Sequence, residues 1–152
     1  MRGVWHFSVT VADLDRSVEF YSGLLGFGLV HRQTQANAYT SKLVGYPDAH
    51  LRIAQLTVPG QPRGASTHDL ELVEYVRPRG EPVGPHRNRP GASHLALCGA
   101  DARAEYRRRA EANVRFVSEP QAITAGVNAG GYTCYFLDPD DITLELVQAP
   151  NR

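Results

Sequence analysis

Hydrophobic positions along this chain switch between period two and the helical period, and the whole sequence of switches occurs twice. From Val4 to Val11, Phe7, Val9 and Val11 alternate with His6, Ser8 and Thr10, the pattern of a half-buried strand. Asp13 is a suitable N-cap, and a helix is expected from there to about Leu25. Leu14, Val18, Tyr21 and Leu25 form its apolar stripe. Gly26 reads as the stop, and Phe27 to His31 as a short strand. Residues 32–50 are polar; within them Tyr39 to Val44 reads as a strand and Gly45 to Asp48 as a turn. His50 to Val58 alternates again, with Leu51, Ile53 and Gln55 on one face. Pro59 to Thr67 is a loop rich in Gly and Pro. His68 to Val76 is a strand with Leu70 and Leu72 on one face and Asp69, Glu71, Val73 and Tyr75 on the other.

Residues 77–91 interrupt the pattern. Pro78, Pro82, Pro85 and Pro90 alternate with Arg77, Arg79, Arg87 and Arg89, which reads as an extended, solvated linker. The periods then restart. Ala92 to Cys98 is a strand with His94, Ala96 and Cys98 on one face. Asp101 caps a helix over about Ala102 to Asn113, and Val114 to Ser118 is a short strand. A loop through Gly126, Gly130 and Gly131 leads to a hairpin, Tyr135 to Gln148, turned by Asp138-Pro139-Asp140-Asp141. On its second strand Leu144 and Leu146 face one way; Thr143, Glu145 and Val147 face the other.

The two halves share landmarks. His6 precedes the capping Asp13 by seven residues, and His94 precedes Asp101 by the same seven. Leu-Glu-Leu-Val occurs around Glu71 and again around Glu145. The first half is longer, with 65 positions from His6 to Glu71 against 51 from His94 to Glu145. An internal repeat of this kind implies two similar modules. We therefore expect an α+β fold, with a first module over 1–76, a linker over 77–91 and a second module over 92–152.

Composition narrows the function. Sixteen basic and sixteen acidic residues cancel, which gives no bulk charge for nucleic acid or an anionic membrane. No apolar run approaches the roughly 20 residues needed to span a bilayer. Met1 to His6 carries no signal-peptide core. Cys98 and Cys134 make neither a metal-spaced pair nor a disulfide framework, so a reducing cytoplasm is expected.

Candidate chemistry follows from the repeat. Each of His6, His94, Glu71 and Glu145 lies on the strand face opposite its large apolar neighbours. Two similar modules side by side would bring the four into one concave space. Two imidazoles and two carboxylates suit a divalent metal such as zinc, nickel, cobalt, manganese or iron. The other histidines, His31, His50, His68 and His86, fall at strand ends or loops and are expected to be exposed. Glu74 should point away from Glu71, toward solvent or a partner subunit. Cys134 and Phe136 are expected to share the Glu145 face. Tyr39, Tyr75 and Tyr132 are candidate contacts for an aromatic ligand, or simply strand formers.

Several motifs in order carry a family resemblance over nearly the whole chain: His6 followed by Val11-Ala-Asp-Leu-Asp-Arg-Ser-Val-Glu-Phe-Tyr21, Leu25-Gly-Phe27, Leu70-Glu-Leu-Val73, Pro90-Gly-Ala-Ser-His-Leu-Ala-Leu97, and Phe136-Leu-Asp-Pro-Asp140 running into Leu144-Glu-Leu146. They resemble the vicinal oxygen chelate superfamily, which includes glyoxalase I, methylmalonyl-CoA epimerase, extradiol dioxygenases and bleomycin-type resistance proteins. Asp141 stands where many relatives have Gly. The resemblance implies two paired βαβββ modules forming a curled mixed sheet around a central cleft, usually in dimers. It implies metal ligands at His6, His94 and Glu145, with Glu71 at a position that is Glu in glyoxalase I. It points to a metal-dependent lyase or isomerase acting by proton transfer on a small substrate held through two oxygens, with Glu71 or Glu145 as the base. Epimerases of the family use a further, non-ligand Glu; between residues 45 and 58 the nearest polar candidate is Gln55, which is no base. A metal-free drug- or metabolite-binding protein and an iron-dependent ring-cleaving dioxygenase are the alternatives.

Overall fold

The computed structural model describes residues 2–62 and 64–150. Arg63, in the expected 59–67 loop, and the module ends at Met1, Asn151 and Arg152 lie outside the described residues. The chain divides into two compact units, Met1–Pro82 and Val83–Arg152.

In the first unit, β1 (Phe7–Thr10) leads into α1 (Leu14–Val18), which continues as a π-helical turn over Glu19–Leu24. Asp13 caps α1 as expected, its carboxylate accepting from the Arg16 backbone N–H at 3.1 Å. Leu14, Val18, Tyr21 and Leu25 are all buried. Gly26 ends the segment at φ 81°, a left-handed geometry that glycine adopts without a Cβ clash. β2 (Gly28–Gln35), β3 (His50–Thr57) and β4 (Leu70–Arg77) follow, in sheet order β1-β4-β3-β2. β1 runs parallel to β4, and the other pairs are antiparallel. Ala54, Leu56, Leu70 and Leu72 are buried on the sheet face toward α1. Each such leucine contributes about 1.5–3 kcal/mol, so this layer anchors the unit.

Two expectations in this unit need correction. Residues 39–44 are not a strand: α2 spans Ala38–Val44. Asn37 caps it by accepting from the Thr40 N–H at 3.0 Å, and Gly45 ends it at φ 76°. Those two caps outweigh the weak strand preference of Tyr39, Thr40 and Val44. The strand beginning near Phe27 also runs on to Gln35. It is the sheet edge and largely exposed, so burial imposes no apolar pattern on it.

In the second unit, β5 (His94–Cys98) is followed by α3 (Ala102–Glu111), short β6 (Arg115–Phe116) and β7 (Gln121–Ala122), then β8 (Tyr132–Leu137) and β9 (Thr143–Gln148). Asp101 caps α3 by accepting from the N–H groups of Arg103 and Ala104, both at 3.0 Å. The sheet order is β5-β9-β8-β6, with β7 on β8. β5 runs parallel to β9, as β1 does to β4. Each unit is thus a mixed sheet combined with helix, an α+β arrangement. No helix among the described residues is long and apolar enough to cross a membrane.

Candidate metal centre

The parallel pairings put the two His–Glu pairs in the same register. Glu71 pairs with Ser8, two residues after His6; Glu145 pairs with Ala96, two residues after His94. Side chains two apart on a strand share a face, so in each unit imidazole and carboxylate come together. His6 Nε2 lies 3.7 Å from Glu71 Oε1. His94 Nε2 lies 3.1 Å from Glu145 Oε2.

Each carboxylate is held by a neighbour across the sheet. Gln55, directly opposite Glu71, donates its amide N–H to Oε2 at 3.2 Å. The Thr133 hydroxyl donates to Glu145 Oε1 at 2.6 Å. Tyr135, directly opposite Glu145, sets its ring edge-on to His94 at 5.3 Å between centroids. Cys134 and Phe136 are on the other face, against Leu144 and Leu146, and are buried there. The expectation that they share the Glu145 face is therefore reversed, because Tyr135 rather than Cys134 pairs with Glu145. Burial, with Glu145 as a lesser cause, pushes the Cys134 thiol up to about 11.

The expected exposure of His68 is also wrong. His68 is only 5% exposed and joins the first unit's cluster. Its Nε2 hydrogen-bonds His6 Nδ1 at 3.0 Å and lies 3.8 Å from Glu71 Oε2. Its Nδ1 meets Ser66 Oγ at 3.2 Å. Strict alternation would send residues 68 and 71 to opposite faces. His68 escapes that rule because it precedes the first residue of β4, Leu70, in a bent segment. Strand parity therefore gave no signal for it. Burial, then the nearby His6, holds the His68 imidazole below its ordinary value, against the pull of Glu71 and Asp69.

Glu74 likewise departs from expectation. It points away from Glu71, but not into solvent: it is buried, accepts from the Leu14 N–H at 3.1 Å and pairs with Arg52 at 2.8 Å. It belongs to the structure beneath α1, not to the site.

The donor atoms of His6, His68 and Glu71 all lie within 4.8 Å of one another. Imidazole nitrogen with carboxylate oxygen is a set that fits a borderline divalent ion. In the second unit His94 and Glu145 offer the same two donor types.

Residues 3–146 match the family described as the Glyoxalase/Bleomycin resistance protein/Dioxygenase superfamily. The chain belongs to this superfamily. A 2-epi-5-epi-valiolone epimerase of Actinomyces sp. is 37% identical over 97% of this chain and 79% of its own length. The structure resembles a glyoxalase family protein of Bacillus cereus, with a TM-score of 0.79 at 18% identity over 97% of this chain and 94% of that one. It also resembles the trypanothione-dependent glyoxalase I of Leishmania major, with a TM-score of 0.65 at 21% identity over 97% of this chain and 87% of that one. At such identities the two structures establish the superfamily fold alone.

Proposed function

We propose that the protein is a metal-dependent isomerase, of the glyoxalase- or epimerase-like kind, acting by proton transfer on a small polyhydroxylated ketone. The observation that carries this reading is the His–Glu pair repeated in one strand register, Ser8 to Glu71 and Ala96 to Glu145. The similarity to a valiolone-type epimerase supports the isomerase class and suggests the substrate class. The proposed ligands are His6, Glu71, His94 and Glu145, for zinc, nickel, cobalt, manganese or iron. A bound divalent ion supplies Lewis acidity toward a substrate carbonyl oxygen.

The carboxylates of the chain carry the protons. Removing a proton from the carbon beside a carbonyl, and returning it on the other side, inverts that carbon. A base must be ionised and aimed to do this. Gln55 anchors Glu71 at Oε2, which leaves Oε1 toward His6. Thr133 anchors Glu145 at Oε1, which leaves Oε2 toward His94. Gln55 therefore acts as a positioning side chain and does not replace the missing non-ligand base. The proposal extends to a cytoplasmic homodimer, for which light scattering is the check.

The test is incubation of the metal-loaded protein with 2-epi-5-epi-valiolone in D2O, followed by NMR. Inversion of one carbon with deuterium incorporated there is expected. Glu71→Gln and Glu145→Gln should reveal the base, which is worth about 100- to 10,000-fold in rate. Tight binding without exchange would favour a binding protein, and oxygen uptake with catechols a dioxygenase; either overturns the proposal.

A further inference from the structure

We infer that His68 is a positioning residue for His6, and that with Ser66 it determines which nitrogen of His6 is free to bind a metal. The inference rests on the proposed ligand role of His6 and adds to it a residue that lies outside the four-residue set.

The argument is one of protons. His6 Nε2 and Glu71 Oε1 are 3.7 Å apart, long for a direct bond. Two donors at about 2.0–2.2 Å from one ion lie roughly 3–4 Å from each other, so the spacing suits a shared ion. Nε2 must then carry the lone pair, and the ring proton of His6 must sit on Nδ1. That nitrogen is 3.0 Å from His68 Nε2, which has to accept. His68 therefore keeps its own proton on Nδ1, 3.2 Å from Ser66 Oγ. The same Ser66 oxygen accepts the His68 backbone N–H at 3.2 Å, which fixes the loop end of the relay. With His6 Nε2 given to the metal, one assignment satisfies every member: His6 Nδ1–H to His68, His68 Nδ1–H to Ser66. His68 is the weaker ligand candidate because its Nε2 is engaged by His6. A metal-bound imidazole normally has such an acceptor for its second N–H, and losing the acceptor weakens metal binding about 10- to 100-fold.

The experiment is a cobalt(II) titration of the 152-residue chain and its variants, read by visible absorption. Glutamine brings its carbonyl oxygen as many bonds from Cα as His Nε2; asparagine falls one bond short. His68→Ala and His68→Asn should therefore weaken cobalt binding about 10- to 100-fold, whereas His68→Gln should stay within about threefold of the native affinity. Ser66→Ala should fall between. At saturation the ligand-field bands should match the native ones in every variant. In the zinc-loaded native chain, nitrogen NMR should find the His6 proton on Nδ1. Equal affinity in His68→Ala overturns the inference while leaving the metal site intact. Altered bands at saturation in the His68 variants also overturn it, by making His68 a ligand. A native chain that binds no cobalt overturns both this inference and the reading on which it rests.

Discussion

Glu71 and Glu74 are three residues apart on one strand and serve opposite ends. Parity sends Glu71 to the face of His6 and Glu74 to the face of α1, where the helix N-terminus favours a negative charge. A buried carboxylate is tolerable only with partners, and Glu74 has the Leu14 N–H, Arg52 at 2.8 Å and Arg79 at 3.6 Å. Glu74→Ala should cost about 2–4 kcal/mol in urea unfolding, because it strips the acceptor from the helix end and from Arg52. Glu74→Gln keeps an acceptor and should lose less than half as much; equal losses would show that the charge, not the hydrogen bond, matters. Alternation makes the faces of both glutamates readable from sequence. It does not reveal that the Glu74 face would be covered by α1, since that depends on packing. Cys134 gives a second check. Its folded thiol is raised to about 11, against 9.0 for an ordinary one, so the folded chain keeps a proton that the unfolded chain releases. Stability should therefore fall as pH rises from about 9 and level off near 11, and Cys134→Ala should remove that part of the slope.

Elements were legible where their end signals agree with their interior. α1 and α3 have aspartate caps, and both form where expected. α2 has Asn37 and Gly45 at its ends, but its interior mixes Tyr39, Thr40 and Val44 with polar residues. Beside the two caps it is held by the buried Thr40, whose hydroxyl donates to Asn37 Oδ1 at 3.1 Å, and by the Ser41 hydroxyl oxygen, which accepts from the Ala49 N–H at 3.1 Å. Such contacts leave no periodic trace. The β8–β9 hairpin is the opposite case: Asp138 and Pro139 announce it. Asp138 is buried, and its Oδ1 accepts from the N–H groups of Asp140 at 2.8 Å and Ile142 at 2.9 Å. Asp138→Ala should destabilise the chain by about 2–3 kcal/mol, since it leaves two part-buried donors without their carboxylate. Asp141 sits at φ 64°, a left-handed position that Gly would fill without a Cβ clash and that is filled here by an Asp. Asp141→Gly should be nearly neutral, because the relief of Cβ strain is offset by added chain entropy and the loss of the Arg115 ion pair at 2.5 Å. Asp141→Val should cost more than 1 kcal/mol, because a β-branched residue tolerates positive φ poorly. Thermal unfolding of both variants checks the pair.

For the molecule as a whole, the internal repeat was the most legible feature, because spacing and motif both survive in each half. The matched registers Ser8 to Glu71 and Ala96 to Glu145 express it in three dimensions. His68 was not legible, because its position depends on the bend before Leu70 and not on strand parity. A whole-molecule consequence follows from the proposed metal. An ion that binds only the folded chain stabilises it by about 2.7 kcal/mol at a free concentration 100 times Kd. For a chain of 152 residues each kcal/mol shifts Tm by about 2–4 °C. Chelation of the loaded protein should then lower Tm by roughly 5–10 °C, and adding back the ion should restore it. The comparison that decides is His94→Ala with Glu145→Ala in one chain. These residues are half-buried or exposed, so their loss should leave the metal-free Tm close to native. If the double variant keeps the native response to chelator, the second His–Glu pair is not a ligand set and that part of the proposed function fails. If it loses the response while its metal-free Tm is unchanged, the pair contributes through the ion alone, as a binding site should and a packing contact would not.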